Sequence, residues 1–266
     1  TAKPTLEEQS AVKHHFIDIL ELDEYFSAGV FGNLAYSKAR EIYQNGKIPV
    51  IVGGSGLYIK SLTEGFFEDD NYNQDSRDLI RQNLEQKLIS LGKDVIYEQL
   101  NQIDPLSAER YPDKNPRRIF RALEYYQLTG KKFSETFNTN QNRSVEFAYF
   151  MIDYPRESLY DRINRRSELM WENGLIEETK NVLKMGYSKS LNSLNTVGYK
   201  EAIEFIEGKI SENRAIELIQ QNTRRYAKRQ ITWFKKIEDL ILLDGKLEAA
   251  KIAKIAVDIF TKQILT

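Results

Sequence analysis

"IPVIVGGSGLYIK", residues 48–60, joins an apolar segment to a turn that has almost no side chains. Residues 48–52 are rich in β-branched side chains and predict a buried strand. The turn that follows consists of Gly53, Gly54, Ser55 and Gly56. A helix is predicted after the turn, with a stop at Gly65. A strand, a glycine turn and a helix in this order indicate an α/β layer with a parallel sheet.

The glycine turn has two explanations that the sequence leaves open. Backbone N–H groups at a helix N-terminus form an anion site, and glycine lets a phosphate come close to them. Ser55 would add a hydroxyl donor to such a site. A tight strand-to-helix turn without any ligand explains the same residues equally well.

The composition excludes several classes of site. The chain has 266 residues, 41% hydrophobic and 29% charged, which is typical of a globular protein with one large domain or a domain with an insert. No cysteine is present, which excludes disulfides, thiolate catalysis and cysteine-ligated zinc and fits a cytoplasmic location. With two histidines, a multi-histidine metal site is disfavoured, and without a run of about 18 apolar residues no membrane span is predicted.

Positive charge is clustered although the net charge is −1. Residues 114–132 contain six Lys or Arg and a single acid, Glu124, and residues 221–237 contain six Lys or Arg and no acid. Such local clustering is what electrostatic capture of a polyanion requires. At helical spacing the second cluster forms one basic face opposite an apolar face, although a solvated charged surface is the simpler alternative for both clusters.

The remaining pattern predicts mostly helices. Residues 31–45 and 77–142 have helical patterns, and the helix within "NPRRIFRALEYYQLTG" has Asn115 as N-cap, Pro116 at its first position and Gly130 at its end. Strand character returns at 145–154 and at "LILLD", 240–244. A helical insert between two parts of an α/β domain is the simplest interpretation.

Arginines near residue 165 have two interpretations as well. Arg162, Arg165 and Arg166 follow the strand at 145–154, and a guanidinium can clamp a pyrophosphate with several hydrogen bonds. Ordinary intrahelical ion pairs are the simpler alternative, because acids lie within reach at Glu157, Asp161, Glu168 and Glu172.

Several blocks of the sequence occur together in one known family. In order they are "HHFIDIL", "GKIPVIVGGSGLYIKSLTEG", "DPLSAERYPDKNPRRIFRALEYYQLTGKKFSE", "GLIEETKNVLKMGY", "TVGYKEAIEFIEGKIS" and "TRRYAKRQITWFKK". The chain resembles the bacterial tRNA dimethylallyltransferases from Thr1 to about Asp244. The resemblance implies a P-loop NTPase-like α/β core with a parallel sheet, formed by residues 1–70 and 145–266, and a helical tRNA-binding insertion at 71–144.

The resemblance also implies a reaction. Members of this family transfer a dimethylallyl group from dimethylallyl diphosphate to N6 of the adenosine 3′ of the anticodon in tRNA, with Mg²⁺ as cofactor. The expected partners are therefore a tRNA anticodon stem-loop and dimethylallyl diphosphate, and a monomer without membrane association is expected. A free-nucleotide (adenylate) isopentenyltransferase and a non-catalytic tRNA-binding protein are the alternatives.

The resemblance assigns roles to individual positions. Ser55 and Arg166 are the expected catalytic residues, and they bind the diphosphate together with Gly53 and Gly54. The expected tRNA contacts are Arg77, Arg117, Arg118, Arg121, Val197, Gly198, Tyr199, Lys200, Arg225, Lys228, Arg229, Gln230, Thr232, Trp233 and Lys235.

One departure from the family pattern concerns the start of the chain. The family has a Gly-rich phosphate loop and an Asp-Ser motif, whose aspartate accepts the N6 proton, and residues 1–266 contain neither. Thr1–Pro4 matches the segment that follows those motifs. The expectation is that a polypeptide of these residues alone is inactive and supplies no metal ligand.

Overall fold

The computed structural model describes residues 3–66, 74–137 and 143–264. The predicted connection at 66–76 lies mostly outside the described residues. The helices are α1 (Leu6–Ala11), α2 (Ala28–Gln44), α3 (Gly56–Glu64), α4 (Gln74–Leu91), α5 (Lys93–Ile103), α6 (Pro105–Glu109), α7 (Pro116–Thr129), α8 (Arg156–Met170), α9 (Ile176–Lys184), α10 (Tyr199–Ile206), α11 (Glu212–Phe234) and α12 (Ala249–Ile264). The strands are β1 (Tyr149–Asp153) and β2 (Leu240–Asp244), a 3₁₀ turn spans Phe133–Thr136, and a π turn spans Trp171–Leu175.

Strands β1 and β2 form a parallel pair, with Tyr149 opposite Leu240 and Asp153 opposite Asp244. Helices α8 to α11 form the connection between the two strands, as a parallel pair requires a crossover of a dozen or more residues. The predicted parallel sheet is therefore confirmed in these two strands, at the positions where the sequence shows strand character.

The predicted buried strand at 48–52 is wrong for the structure. These residues have no regular secondary structure and pair with no strand within residues 3–66, 74–137 and 143–264. Val50 is 80% exposed and Val52 is 91% exposed. Apolar, β-branched residues favour a half-buried position in a pleated sheet. They form a strand only where a neighbouring strand is present to pair with them.

The chain divides into two compact units. The first comprises residues 1–26, 54–56 and 146–266, and the second comprises 27–53 and 57–145. The predicted insertion at 71–144 lies within the second unit, which also contains α2 and α3. The division into a core and an insertion at these boundaries stays a prediction.

The second unit has a core of aliphatic side chains from α4, α5 and α7. Its fully buried members include Leu84, Ile96, Leu100, Ile119 and Leu123. Each such side chain stabilises the fold by roughly 1.5–3 kcal/mol relative to an exposed position. Helix α7 begins and ends as predicted: the Asn115 side chain accepts from the backbone N–H of Arg117, Pro116 is the first residue, and Gly130 ends the helix with φ of 71°.

The first unit has a smaller core where α10 and α11 pack near the π turn. Trp171, Leu175, Ala202, Ala215 and Ile219 form it. The indole N–H of Trp171 donates to Oε1 of Glu212 at 2.8 Å, so the ring is buried without losing its hydrogen bond.

None of the helices in the described part of the chain is long and apolar enough to cross a membrane.

Asp104 is a buried carboxylate that joins three segments of the second unit. It accepts from the backbone N–H and the hydroxyl of Ser107, and from the backbone N–H of Ser134 at 2.8 Å. Burial acts to raise the pKa of Asp104, but the hydrogen bonds outweigh it and hold the pKa below its ordinary value of 3.8. The carboxylate form is therefore the one that stabilises the fold.

We expect Asp104→Asn to lower the free energy of unfolding by about 1–3 kcal/mol at neutral pH, because an amide N–H₂ would face donors that need an acceptor. The stabilisation by Asp104 is complete above pH 3.8 and is lost as the pH falls through the lower pKa of the folded state. Urea unfolding of both proteins at neutral and acidic pH measures the loss of stability and its dependence on pH. Asp94→Asn, whose carboxylate is 72% exposed and pairs with Lys114 at the surface, is the control, and an equal loss there would contradict the assignment.

Candidate functional site

The glycine turn lies directly against helix α11. The Gln230 side chain donates from Nε2 to the carbonyl oxygen of Gly54 at 2.8 Å. A Cβ at Gly54 would lie 1.9 Å from Nε2 of Gln230, and a Cβ at Gly56 would lie 2.4 Å from Cδ2 of Trp233. A side chain at Gly54 would require the flexible Gln230 amide to move, and one at Gly56 would require the bulky Trp233 ring to move.

Gly53 is different from the other two glycines. A Cβ there would have no atom within 4 Å among the described residues, and its φ lies outside the left-handed region. Neither packing nor backbone conformation requires glycine at this position. The exposed backbone at Gly53 is therefore the part of the turn that an external group can approach.

The expected tRNA contacts on helix α11 lie in two different environments. Gln230 and Trp233 are half-buried and face the glycine turn. The exposed members of the predicted set are Arg225, Lys228, Arg229, Thr232 and Lys235. None of the exposed cations forms an ion pair within the part of the chain that the structure describes. The basic face predicted from helical spacing is therefore present in these residues and is not neutralised by carboxylates there, whereas Arg224 of the same cluster is half-buried and donates to Asn164 of α8.

The loop at 197–200 is joined to α11 by hydrogen bonds. Gly198 has φ of 105°, a conformation that favours glycine, and its N–H donates to the buried carboxylate of Glu201 at 2.8 Å. The side chain of Asn222 on α11 donates to the other carboxylate oxygen of Glu201. The side-chain oxygen of Asn222 accepts in turn from Arg225 at 3.3 Å. The structure thus brings this loop together with one of the cations of α11.

The four predicted residues of this loop have different exposures. Val197 and Lys200 are exposed, whereas Gly198 is buried. Tyr199 is half-buried, and its hydroxyl donates to Glu178. Burial and that hydrogen bond both raise the pKa of Tyr199, so it remains neutral at physiological pH. Val197 and Lys200 are the members of this loop that are available for external contact.

The segment at 189–193, before this loop, forms hydrogen bonds to other parts of the first unit. Lys189 donates to Glu207 at 2.6 Å, and Ser193 donates to the carbonyl oxygen of Leu22 at 2.8 Å. Hydrogen bonds from Lys189 and Lys209 lower the pKa of Glu207 to about 2. The segment at 189–193 therefore has contacts that restrict its position at neutral pH.

The arginines of α8 are exposed and, within the described residues, do not form the intrahelical ion pairs that were the simpler alternative. The acid Glu168 accepts instead from Gln220 of α11 at 3.0 Å. The guanidinium of Arg162 lies 4.8 Å from the ring centre of Tyr154, a cation–π contact. Arg166 is exposed on α8, so its guanidinium can reach an external anion.

The arginines of the second unit have unequal exposure. Arg117 and Arg118 are exposed on α7, and Arg118 lies 3.6 Å from a carboxylate oxygen of Asp113. Arg121 is 27% exposed and bonds to Glu124. Arg77 is only 8% exposed, so it is the least available of these four arginines to an external phosphate.

Possible metal ligands are scattered over the part of the chain that the structure describes. Among those residues no three His, Asp or Glu side chains lie together in a way that could hold a metal ion.

Comparison with known proteins places this arrangement in a family. The model of the IPP transferase family matches residues 1–237. The chain is 42% identical to a tRNA dimethylallyltransferase from Thermotoga neapolitana over 247 residues, which are 91% of this chain and 77% of the relative. A tRNA dimethylallyltransferase from Alkaliphilus oremlandii is 40% identical over 242 residues, 90% of this chain and 76% of that protein.

This chain belongs to the IPP transferase family.

Solved structures agree with the IPP transferase fold. A tRNA delta(2)-isopentenylpyrophosphate transferase from Staphylococcus epidermidis matches 98% of this chain and 85% of its own, with a TM-score of 0.64 and 33% identity. The full-length tRNA isopentenylpyrophosphate transferase from Bacillus halodurans matches 98% of this chain and 82% of its own, with a TM-score of 0.66 and 34% identity. The predicted family is confirmed. The expectation of an inactive chain gains no support from these similarities.

Two acids that the sequence analysis did not select join candidate residues of this IPP transferase family member. Glu201 connects the loop at Gly198 to α11, and Glu124 contacts Arg121 and also Arg81 of α4. Glu124 had a visible signal, since it is the single acid in the basic cluster at 114–132. Glu201 had a weaker one, its place three residues after Gly198 at the start of a helix.

We expect Gly56→Ala to lower the free energy of unfolding by about 1–3 kcal/mol, because the new methyl group would displace the Trp233 ring. Gly53→Ala should change it by less than about 0.5 kcal/mol. Thermal unfolding of both variants measures the difference. Equal destabilisation by the two substitutions would show that the contact with α11 does not explain the glycines.

Proposed function

We propose that this chain transfers a dimethylallyl group from dimethylallyl diphosphate to N6 of the adenosine 3′ of the anticodon in tRNA. The observation that carries the proposal is the double contact of helix α11. One side of this helix packs on the glycine turn through Gln230 and Trp233, and the other side presents exposed cations such as Lys228 and Arg229. One rigid element can therefore bind an RNA backbone close to the turn that receives the prenyl donor.

The RNA is held mainly through its phosphates. Arg225, Lys228, Arg229 and Lys235 present exposed positive charge, and Val197 and Lys200 lie on the loop that is hydrogen-bonded to the same helix. Phosphate contacts fix the position and register of a nucleic acid without reading its sequence. Arg117, Arg118 and Arg121 add a second basic surface on α7. The target adenine must leave its stack for its N6 to react.

The donor is held at the glycine turn. The open backbone at Gly53 lets a diphosphate approach, the Ser55 hydroxyl can donate a hydrogen bond to it, and the exposed Arg166 can supply a guanidinium. In the reaction a bond forms between N6 and the allylic carbon while the carbon–oxygen bond to diphosphate breaks. Negative charge then accumulates on the leaving pyrophosphate, where fixed donors and cations stabilise it.

Two parts of the reaction are not assigned to residues of this chain. The resemblance gives the N6 proton to an aspartate in a motif that residues 1–266 do not contain. Mg²⁺ commonly binds through substrate phosphates, water and one or two carboxylates. When bound, it would supply positive charge to the diphosphate, and the described side chains hold no cluster of ligands for it.

The acceptor specificity tests the proposal directly. We expect the full-length protein to transfer labelled dimethylallyl from its diphosphate to an anticodon stem-loop RNA and not to AMP. Ser55→Ala should lower kcat by roughly 10²-fold, as loss of one donor to developing charge does elsewhere, with little change in KM for the RNA. Transfer to AMP alone would favour a free-nucleotide isopentenyltransferase. RNA binding without transfer would favour a tRNA-binding protein.

We expect the double variant Lys228→Gln, Arg229→Gln to bind the stem-loop more weakly and with less dependence on salt. Removing one cation from a phosphate reduces the slope of log K against log salt by about 0.7–0.9. Fluorescence anisotropy across a salt series measures both effects. The matched control is Lys251→Gln, Lys254→Gln on α12, which also removes two exposed charges. An equal effect in the control would mean that only the overall charge of the protein matters.

A further inference from the structure

Glu124 is a fully buried carboxylate that lies between two arginines from different helices. It is 1% exposed. Its Oε2 accepts from Nη2 of Arg81 on α4 at 2.9 Å, and its Oε1 lies 3.3 Å from Nη1 of Arg121 on α7. One carboxylate therefore contacts two guanidinium groups, one with each oxygen.

Fold stability alone gives little reason for a charge at this position. Burying a carboxylate carries a large desolvation penalty, and replacing a buried ion pair with apolar side chains is often neutral or stabilising. Helices α4 and α7 already pack through Leu84, Ile119 and Leu123 in the same core. A buried charge that a core does not need is instead suited to fixing the orientation of its partners.

The charges around Glu124 do not cancel. Two guanidinium groups and one carboxylate leave a net charge of +1. Each guanidinium has five N–H donors, and the hydrogen bonds to Glu124 involve one nitrogen of each. The Arg81 side chain is 44% exposed and that of Arg121 is 27% exposed, so donors of both remain accessible from solvent. Arg121 is also placed by Phe133, whose ring centre lies 5.9 Å from its guanidinium.

We propose that Glu124 is a positioning residue that holds Arg81 and Arg121 side by side as a clamp for one backbone phosphate of the bound RNA. Two guanidinium groups with fixed orientation can donate to a phosphate in parallel, which a flexible surface cation cannot do at the same entropic cost. The clamp gives Arg81 a contact with RNA that the spacing of α7 alone does not indicate. This inference rests on the proposed function of the protein in binding tRNA.

The substitution Glu124→Gln separates positioning from simple electrostatics, because the two explanations predict opposite changes in the affinity for RNA. Removing a negative charge beside a phosphate site strengthens binding if only charge matters. The amide keeps one acceptor oxygen and places an N–H₂ donor against the other guanidinium, so one arginine loses its orientation and binding weakens if the clamp exists. We expect the stem-loop to bind Glu124→Gln roughly tenfold more weakly at low salt, as removal of a charge-assisted hydrogen bond would give.

Variants of Arg81 test the second half of the clamp. Arg81→Gln should weaken stem-loop binding and reduce the salt slope by about 0.7–0.9, the value of one phosphate contact. Arg81→Lys should restore the slope but not the affinity, since an ammonium keeps the charge and loses the planar fork. Lys87→Gln, an exposed lysine on the same helix, is the matched control and should change neither affinity nor KM.

The results distinguish the clamp from the proposed function. If the unmodified full-length protein does not bind the stem-loop, the proposed function is wrong. If it binds, and Arg81→Gln has unchanged affinity and slope, the clamp is wrong while the function stands. Equal or tighter binding by Glu124→Gln would overturn the clamp in the same way. If Glu124→Gln fails to fold by circular dichroism, the Arg81 series decides alone, because Arg81 lies on the surface.

Discussion

The contact between helix α11 and the glycine turn is the constraint on which the candidate site depends. The Trp233 ring and the Gln230 amide occupy the space that side chains at Gly56 and Gly54 would need. A hydrogen bond to the carbonyl oxygen of Gly54 fixes the distance between turn and helix. Since α11 is a helix of 23 residues, fixing one face at this point also fixes the direction of its basic face.

Buried carboxylates form hydrogen bonds to cationic side chains and to a backbone N–H at a residue with positive φ in this protein. Glu201 satisfies the N–H of Gly198 and orients Asn222, and Glu124 contacts Arg81 and Arg121. A buried carboxylate is effective in this role because leaving its partners unsatisfied is costly in a low-dielectric interior. Arg81 and Arg121, and Arg225 through Asn222, are thus hydrogen-bonded to buried acids that a count of charges alone would treat as neutralising.

Local signals in the sequence were sufficient for part of this structure. Asn115, Pro116 and Gly130 mark both ends of α7, because capping depends on residues within one turn. Helical spacing was sufficient to place the basic face of α11. The contact of Gln230 with Gly54 could not be predicted in this way, since the two residues are 176 positions apart. The same limit explains the wrong strand at 48–52, because strand formation depends on a distant partner.

The exposed apolar segment at 48–52 has a consequence for handling the protein. Its valines are exposed, and its backbone pairs with no strand within residues 3–66, 74–137 and 143–264. An exposed apolar, β-branched segment of this kind can pair with the same segment of another chain. It is therefore a place where association between identical chains would begin at high concentration, and a charged residue at Val50 or Val52 would oppose it.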